Sequence, residues 1–335
     1  MRIAQVVASH GDGGLEKHVR ELSRLLLDAG HHVVLVADPR FLADAPAGVE
    51  PVAMDFSRNR RNPFLLWAVY RALRDSRCDV IHAQANKAVA IVGALTHWLP
   101  APTVGTLHNA KRDLAGYARL AHMITVSARL ARDFPPGRAS VVYNGLAAVA
   151  PQRRDLRAEF GFDTAPVLCA GGRLVEAKGF DLLLDAIDGL AINLLIVGEG
   201  PQRDALELRI ARLSPPARVV LAGHRDDLQA LLAAADAVVV ASRREGFSYV
   251  FAEALLGGAP ILSTDVPVAN EILPPALIVP ADAAALRGRL TALLADRAGW
   301  DAAMAEPRRF GATKLTLEAM RDGTIAVYRS LIGRN

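Results

Sequence analysis

Residues 242–260, SRREGFSYVFAEALLGGAP, hold the densest chemistry in the chain. They follow the strand-like run DAVVVAS. Glu245 therefore falls in a loop at a strand's carboxyl end, and Gly246, Phe247 and Ser248 supply backbone N–H groups where a helix starts. Glu253 projects from the second turn of that helix. In these places Glu245 can accept hydrogen bonds from sugar hydroxyls and Glu253 from a ribose diol. The N–H groups between them can hold a phosphate. The helix is otherwise apolar, and carboxylates are seldom buried without a partner, which favours a bound ligand over a merely solvated face.

A second cluster lies upstream in GRLVEAKGFD, residues 172–181, after the strand-like VLCAGG. Arg173 and Lys178 place two cations at a strand's carboxyl end and a helix's amino end, where charge, fork geometry and helix dipole act together on a diphosphate. Near the start, ASHGDGGLEKHV brings Gly11, Gly13 and Gly14 to the end of the first strand-like run, and a helix is expected from Leu15. Such a loop faces ligand in open α/β sheets, although a tight strand-to-helix turn needs the same glycines. Its G-x-G-G spacing departs from a dinucleotide fingerprint, and Asp38 in VADPR is the one acid available to a ribose. A nicotinamide-dependent oxidoreductase is accordingly the weakest reading. His108 follows the strand-like TVGTL; by itself it reads as a packing residue.

These segments need strands to carry them. Short β-branched runs alternate with helical patterns, which predicts α/β architecture with parallel sheets. Strands are expected at residues 2–8, 32–37, 79–82, 103–107, 123–126 and 140–143, then at 167–170, 193–197, 218–222, 237–241 and 260–263. Helices are expected at 15–29 and 63–76 among others. The pattern lapses into an Ala/Pro/Arg-rich connection over residues 147–164. This predicts an N-terminal Rossmann-like domain over 1–150, a second over 151–312 and an amphipathic helix over 313–335 able to cross back onto the first. A length of 335 residues suits two such domains.

Composition narrows the classes further. Cys78 and Cys169 are far apart and lack neighbouring ligands, so neither a disulfide framework nor a zinc site is indicated. No metal cofactor is expected. The opening MRIAQVV has no secretory pattern and no apolar stretch is long enough to span a bilayer, which predicts a cytoplasmic protein. Residues 1–150 hold 18 basic against 12 acidic residues, a balance suited to phosphates or an anionic membrane. The most basic stretch, with Arg58, Arg60 and Arg61 ahead of NPFLLWAVYRALRDSR, predicts peripheral docking on the inner face of a cell membrane. Packing on the sheet would ask for the same amphipathicity.

From end to end the chain resembles glycosyltransferase family 4. The similarity runs through GGLEKHVRELSRLLLDAGHHVVLV, DVIHAQ, TLHN, ITVS, VYNG, GGRLVEAKGFD, IVGEGP, LAGHRDDL, ASRREGFSYVFAEAL and APILSTD. The resemblance implies a GT-B fold, two Rossmann-like domains facing across a cleft, and a retaining, metal-independent transfer of a sugar. The donor would be a UDP- or GDP-linked sugar and the acceptor a glycan or lipid-linked molecule; no nucleic acid is implied. By the same resemblance Glu245 and Glu253 form the family's paired-glutamate motif, and Arg173 and Lys178 bind the diphosphate. Gly13 and Gly14 close over donor and acceptor, and His108 contacts the donor sugar. The turn TDVPVANEIL departs from the glycine-rich version common in the family and leaves Glu271 without an assigned role. Such a turn is similar to those of transferases that build bacterial lipopolysaccharide core and other surface glycans. Two rivals keep part of this picture: a nucleotide-sugar epimerase of the same architecture, which needs further acid/base residues, and a non-catalytic nucleotide-sugar-binding subunit, which the intact motif residues disfavour.

Overall fold

The computed structural model describes residues 1–9, 13–147 and 154–333. The chain divides into two compact units, one of Met1–Gly145 with Leu317–Asn335 and one of Leu146–Thr316.

The first unit is built on seven parallel strands: β1 Arg2–Val7, β2 His32–Ala37, β3 Glu50–Ala53, β4 Val80–Gln84, β5 Thr103–Leu107, β6 His122–Thr125 and β7 Ala139–Val141. Their order is β3-β2-β1-β4-β5-β6-β7. β4 and β5 are buried along their whole length, as expected of strands covered by helices on both faces. The order reverses between β1 and β4, so the chain leaves these two strands in opposite directions and opens a crevice above their carboxyl ends. The helix Gly14–Asp28 buries Val19, Leu22, Leu25 and Leu26 on one face. The same core receives Met320, Val327, Tyr328 and Leu331 from the C-terminal helix Leu317–Ile332.

β3 was not legible as a strand. It is a mostly exposed edge strand of sequence EPVA without apolar alternation, and proline is tolerated there because an edge strand leaves one row of N–H groups unused. The closing helix also begins later than residue 313. Thr313 and Lys314 end the preceding helix Ala305–Lys314, and Leu315 and Thr316 separate the two helices. There the Leu146 N–H donates to Leu315 O at 2.9 Å and Leu146 pairs with Thr316. The division thus falls after Gly145 and Thr316, not at 150/151 and 312/313; the former position lies outside the described residues.

The second unit has β8 Val167–Gly171, β9 Asn193–Val197, β10 Arg218–Leu221, β11 Ala237–Val240, β12 Ile261–Thr264 and β13 Ile278–Val279, in the order β10-β9-β8-β11-β12-β13. Its reversal lies between β8 and β11. β13, two residues long, was also missed. The segment read as a bare connection contains a helix, Leu156–Phe160. Asp155 caps it by accepting from the Arg157 and Ala158 N–H groups, and Gly161 ends it at φ 66°. Cys78 and Cys169 are buried free thiols.

Candidate functional site

In the second unit the loops leaving β8 and β11 are fastened to each other at the point of reversal. Gly179 stands at φ 64°, and a Cβ there would lie 2.0 Å from Ala241 O; its absence lets the helix Phe180–Ile187 start against the end of β11. The Arg243 and Arg244 N–H groups both donate to Ala177 O, at 2.8 and 3.3 Å. The Arg243 guanidinium grips Asp181 through two bonds of 2.7 Å and donates to Glu176 O at 2.9 Å. Thr264, ending β12, donates to Ser242 O at 2.6 Å.

This clamp brings Lys178 and Glu245 together across 67 positions of sequence: Nζ donates to Oε1 at 2.6 Å, and Ser242 Oγ donates to the same oxygen at 2.8 Å. The Glu245 side chain is 8% exposed and that of Lys178 22%. An ammonium has three N–H donors and the carboxylate engages one, so the cation is fixed in place and still able to bind an anion. Arg173, two residues beyond β8, is exposed, and among the described residues it pairs with no carboxylate.

Gly246, Phe247 and Ser248 are buried just ahead of the helix Tyr249–Leu256, and Ser248 Oγ caps it by accepting from Phe251 N–H at 3.3 Å. Phe247 stacks edge-on against Tyr249 with ring centres 5.2 Å apart. Glu253 lies half-buried in the helix's second turn, as expected. Glu271 lies in the short helix Ala269–Ile272 after β12. That helix is entered through buried Val268 at φ 73°, a conformation strained for a β-branched residue. The sequence did not single out Ser242, Thr264, Arg243 or Asp181; their roles depend on contacts between distant segments.

In the first unit His108 follows β5 and its Nε2 lies 3.1 Å from Gln84 Oε1 at the end of β4. Gln84 in turn donates to Gln5 of β1 at 3.2 Å. His18, from the first helix, meets the His108 ring edge-on at 4.9 Å. His82 lies beneath them, with Nδ1 2.6 Å from the Tyr328 hydroxyl and Nε2 2.6 Å from Thr106 Oγ1. Burial lowers His18 to about 4, partly offset by the nearby Asn144 side chain, and burial with the nearby His18 lowers His82 to about 3. Burial, then proximity to His18 and His82, holds His108 well below the ordinary imidazole value. Three neutral imidazoles therefore line this strand edge at neutral pH.

The glycine loop differs from expectation. The helix begins at Gly14, and the Gly13 N–H is already donated to Glu16 Oε2 at 2.9 Å, while Ser9 Oγ donates to Glu16 Oε1. Glu16 thus satisfies the Gly13 amide from within the chain, as a carboxylate in a helix's first turn is suited to do. Gly13 and Gly14 are exposed; Gly11 lies outside the described residues.

Comparison with known proteins identifies the family. Residues 12–148 match the family model Glycosyltransferase Family 4, and residues 165–296 match Glycosyl transferases group 1. A lipopolysaccharide core biosynthesis glycosyltransferase of Rhizobium meliloti is 39% identical over 101 residues, a segment spanning 30% of either chain. The glycogen synthase of Mycobacterium tuberculosis is 28% identical over 320 residues, covering 76% of this chain and 75% of the synthase. The Anabaena protein HepE, solved in complex with UDP, superposes with a TM-score of 0.84 at 21% identity over 99% of this chain and all of its own. The two family models and the shared GT-B fold lead to one conclusion: the chain belongs to the family 4 and group 1 glycosyltransferases.

Proposed function

We propose that the chain is a retaining, metal-independent hexosyltransferase that moves a sugar from a UDP- or GDP-linked donor to a glycan or lipid-linked acceptor in the synthesis of bacterial lipopolysaccharide or another surface polysaccharide. The observation that carries this reading is the Lys178 ammonium fixed by Glu245 at the β8/β11 reversal, with exposed Arg173 nearby in the same loop. Departure of a nucleoside diphosphate develops negative charge on its distal phosphate. Arg173, Lys178 and the N–H groups of Gly246 to Ser248 stabilise that charge, and they are in place before the reaction begins. Glu245 holds Lys178 and orients the sugar; Glu253 takes the ribose hydroxyls. His108, kept neutral, offers the donor sugar a hydrogen-bonding ring without a competing charge. Gly13 and Gly14 close over donor and acceptor. The leaving phosphate receives the acceptor's proton as the new bond forms on the face the diphosphate vacates, so the anomeric configuration is kept.

The sugar-surface role draws support from the Rhizobium relative, and the uridine donor from the UDP bound by the Anabaena protein. Work at the inner face of a membrane is supported by the helix Pro63–Asp75. It buries Leu65, Val69 and Leu73 yet leaves Phe64 72% and Trp67 60% exposed, with the Arg71 guanidinium 5.3 Å from the Trp67 ring centre. Among the described residues no helix is long and apolar enough to cross a bilayer. Isothermal titration with UDP and GDP tests the donor assignment: one of them binds wild type and binds Arg173→Ala at least tenfold more weakly. Equal binding by the variant would remove Arg173 from the site.

A further inference from the structure

The first unit carries a groove lined in part by Arg60 and Arg61, ahead of the helix Pro63–Asp75. One part, of about 300 Å³, and an adjoining part of about 220 Å³ share Arg60, Ala90, Asp113 and Gly116 as lining residues. Together they are at the small end of the roughly 300–1,000 Å³ typical of ligand pockets. The floor is made of small residues because Gly93 and the turn at Gly116 touch backbone to backbone: a Cβ on Gly93 would lie 2.7 Å from Gly116 O. The walls are cationic, with Arg60, Arg61, Lys111, Arg112 and Arg119 all exposed around the opening.

These five cations make no ion pair among the described residues. Elsewhere in the same unit Arg2, Arg24 and Arg74 are each within 3.0 Å of a carboxylate. Clustered like charges around one concavity repel each other, and a bound anion relieves that repulsion. Guanidinium forks fit phosphate and carboxylate oxygens. The groove also holds groups suited to hydroxyls. Asp113 contributes a carboxylate, whose Oδ1 accepts from the Ala115 N–H at 2.9 Å, and Asn86 an amide, whose Oδ1 accepts from the Tyr117 hydroxyl. The groove starts where the reacting edge ends. Lys111 is three residues beyond His108, and Asn86 is two residues beyond Gln84, His108's partner.

We propose that this groove binds an acidic sugar, phosphorylated or carboxylated, as the acceptor's recognition group. Calling that sugar the acceptor rests on the transferase reading; the binding site itself does not. The cations hold the acid while Asp113 and Asn86 accept from ring hydroxyls, and a hydroxyl of the same or the next sugar reaches toward His108.

Calorimetric titration of the full chain with glucose 6-phosphate, glucuronic acid and glucose tests this, alongside the triple variant Lys111→Ala, Arg112→Ala, Arg119→Ala. These side chains are exposed, so folding is preserved, and Lys111→Arg with Arg119→Lys keeps the charges as a second check. The expected result is that at least one acid binds tenfold or more tightly than glucose, that the triple variant loses this preference, and that the charge-keeping variant retains it. Salt weakens the binding. Equal binding of acids and glucose, or undiminished binding by the triple variant, overturns the proposal. Vesicles containing phosphatidylglycerol distinguish the source of the anion: if they displace the acid and bind wild type but not the triple variant, the groove reads a lipid headgroup and the sugar assignment fails. UDP titrated into the same samples decides the donor reading separately.

Discussion

At the residue scale Lys178 neutralises Glu245 and, in the proposed reaction, a phosphate. Arg173→Ala removes one exposed cation, and kcat/KM is expected to fall by about 2 to 4 kcal/mol in barrier terms with the melting temperature unchanged. Lys178→Ala carries the same kinetic loss and also leaves a nearly buried carboxylate without its cation, a stability cost of about 1–3 kcal/mol. Adding Glu245→Gln to Lys178→Ala restores stability without restoring turnover; denaturant titration and steady-state kinetics separate the two effects. The buried imidazoles predict acid sensitivity. His18 and His82 have folded-state values near 4 and 3, below the unfolded value of 6.5. On acidification the unfolded chain therefore takes up protons that the folded chain refuses. Stability is full above about pH 6.5 and falls below it by about 1.4 kcal/mol per pH unit for each histidine, until the folded-state value is reached. With His108 held low as well, His18→Gln should remove about a third of the combined slope of the three histidines between pH 6 and 4.5, and an unchanged slope would place the loss elsewhere. That Arg173, Lys178, Glu245 and Glu253 stand at strand ends and helix starts was legible in the sequence, because these places have local signals. Their pairing was not: Lys178 and Glu245 meet only through the fold, as do His18 and His108.

At the element scale local patterns specified the interior strands and missed the margins. β2, β5 and β9 have their expected limits because continuous apolar runs must be covered on both faces. β3 and β13 are edges paired on one side, with little apolar sequence to mark them. The helix Leu156–Phe160 was hidden by its surrounding composition, although its Asp155 cap and Gly161 stop are ordinary signals. Gly179 is the hinge between helix start and strand end. Gly179→Ala would drive a methyl into Ala241 O, and it should cost more than about 1 kcal/mol of stability and lower kcat/KM by displacing Lys178. A variant with normal stability and normal turnover would show that the loops tolerate separation. For the helix Pro63–Asp75, neutralising Arg58, Arg60 and Arg61 should lower binding to anionic vesicles by about two orders of magnitude, at about 1 kcal/mol per residue. Phe64→Ser with Trp67→Ser should lower it further, since both side chains are exposed. Co-sedimentation in which wild type ignores such vesicles at low salt would leave this face without a membrane role.

At the scale of the whole molecule, the two units divide the chemistry. The first carries a basic surplus, neutral histidines and an unpaired cationic groove; the second carries the fixed ammonium, the exposed arginine and the helix start. That division was visible in the sequence as uneven charge and as two runs of alternating strands and helices. The return of the last helix to the first unit was also anticipated, but the place where the chain crosses depends on the pairing of Leu146 with Leu315 and Thr316. The central claim is a donor clamp made of protein charges that ionises a nucleotide sugar and keeps its configuration. Its most direct test supplies the purified chain with UDP- and GDP-linked hexoses, a panel of acidic glycan and lipid-linked acceptors and excess EDTA, and follows the first-formed product by NMR. Release of one nucleoside diphosphate is expected, with a product of the donor's anomeric configuration, undiminished by the chelator. An inverted anomer, or transfer that stops with EDTA and resumes with Mg²⁺ or Mn²⁺, would contradict the claim.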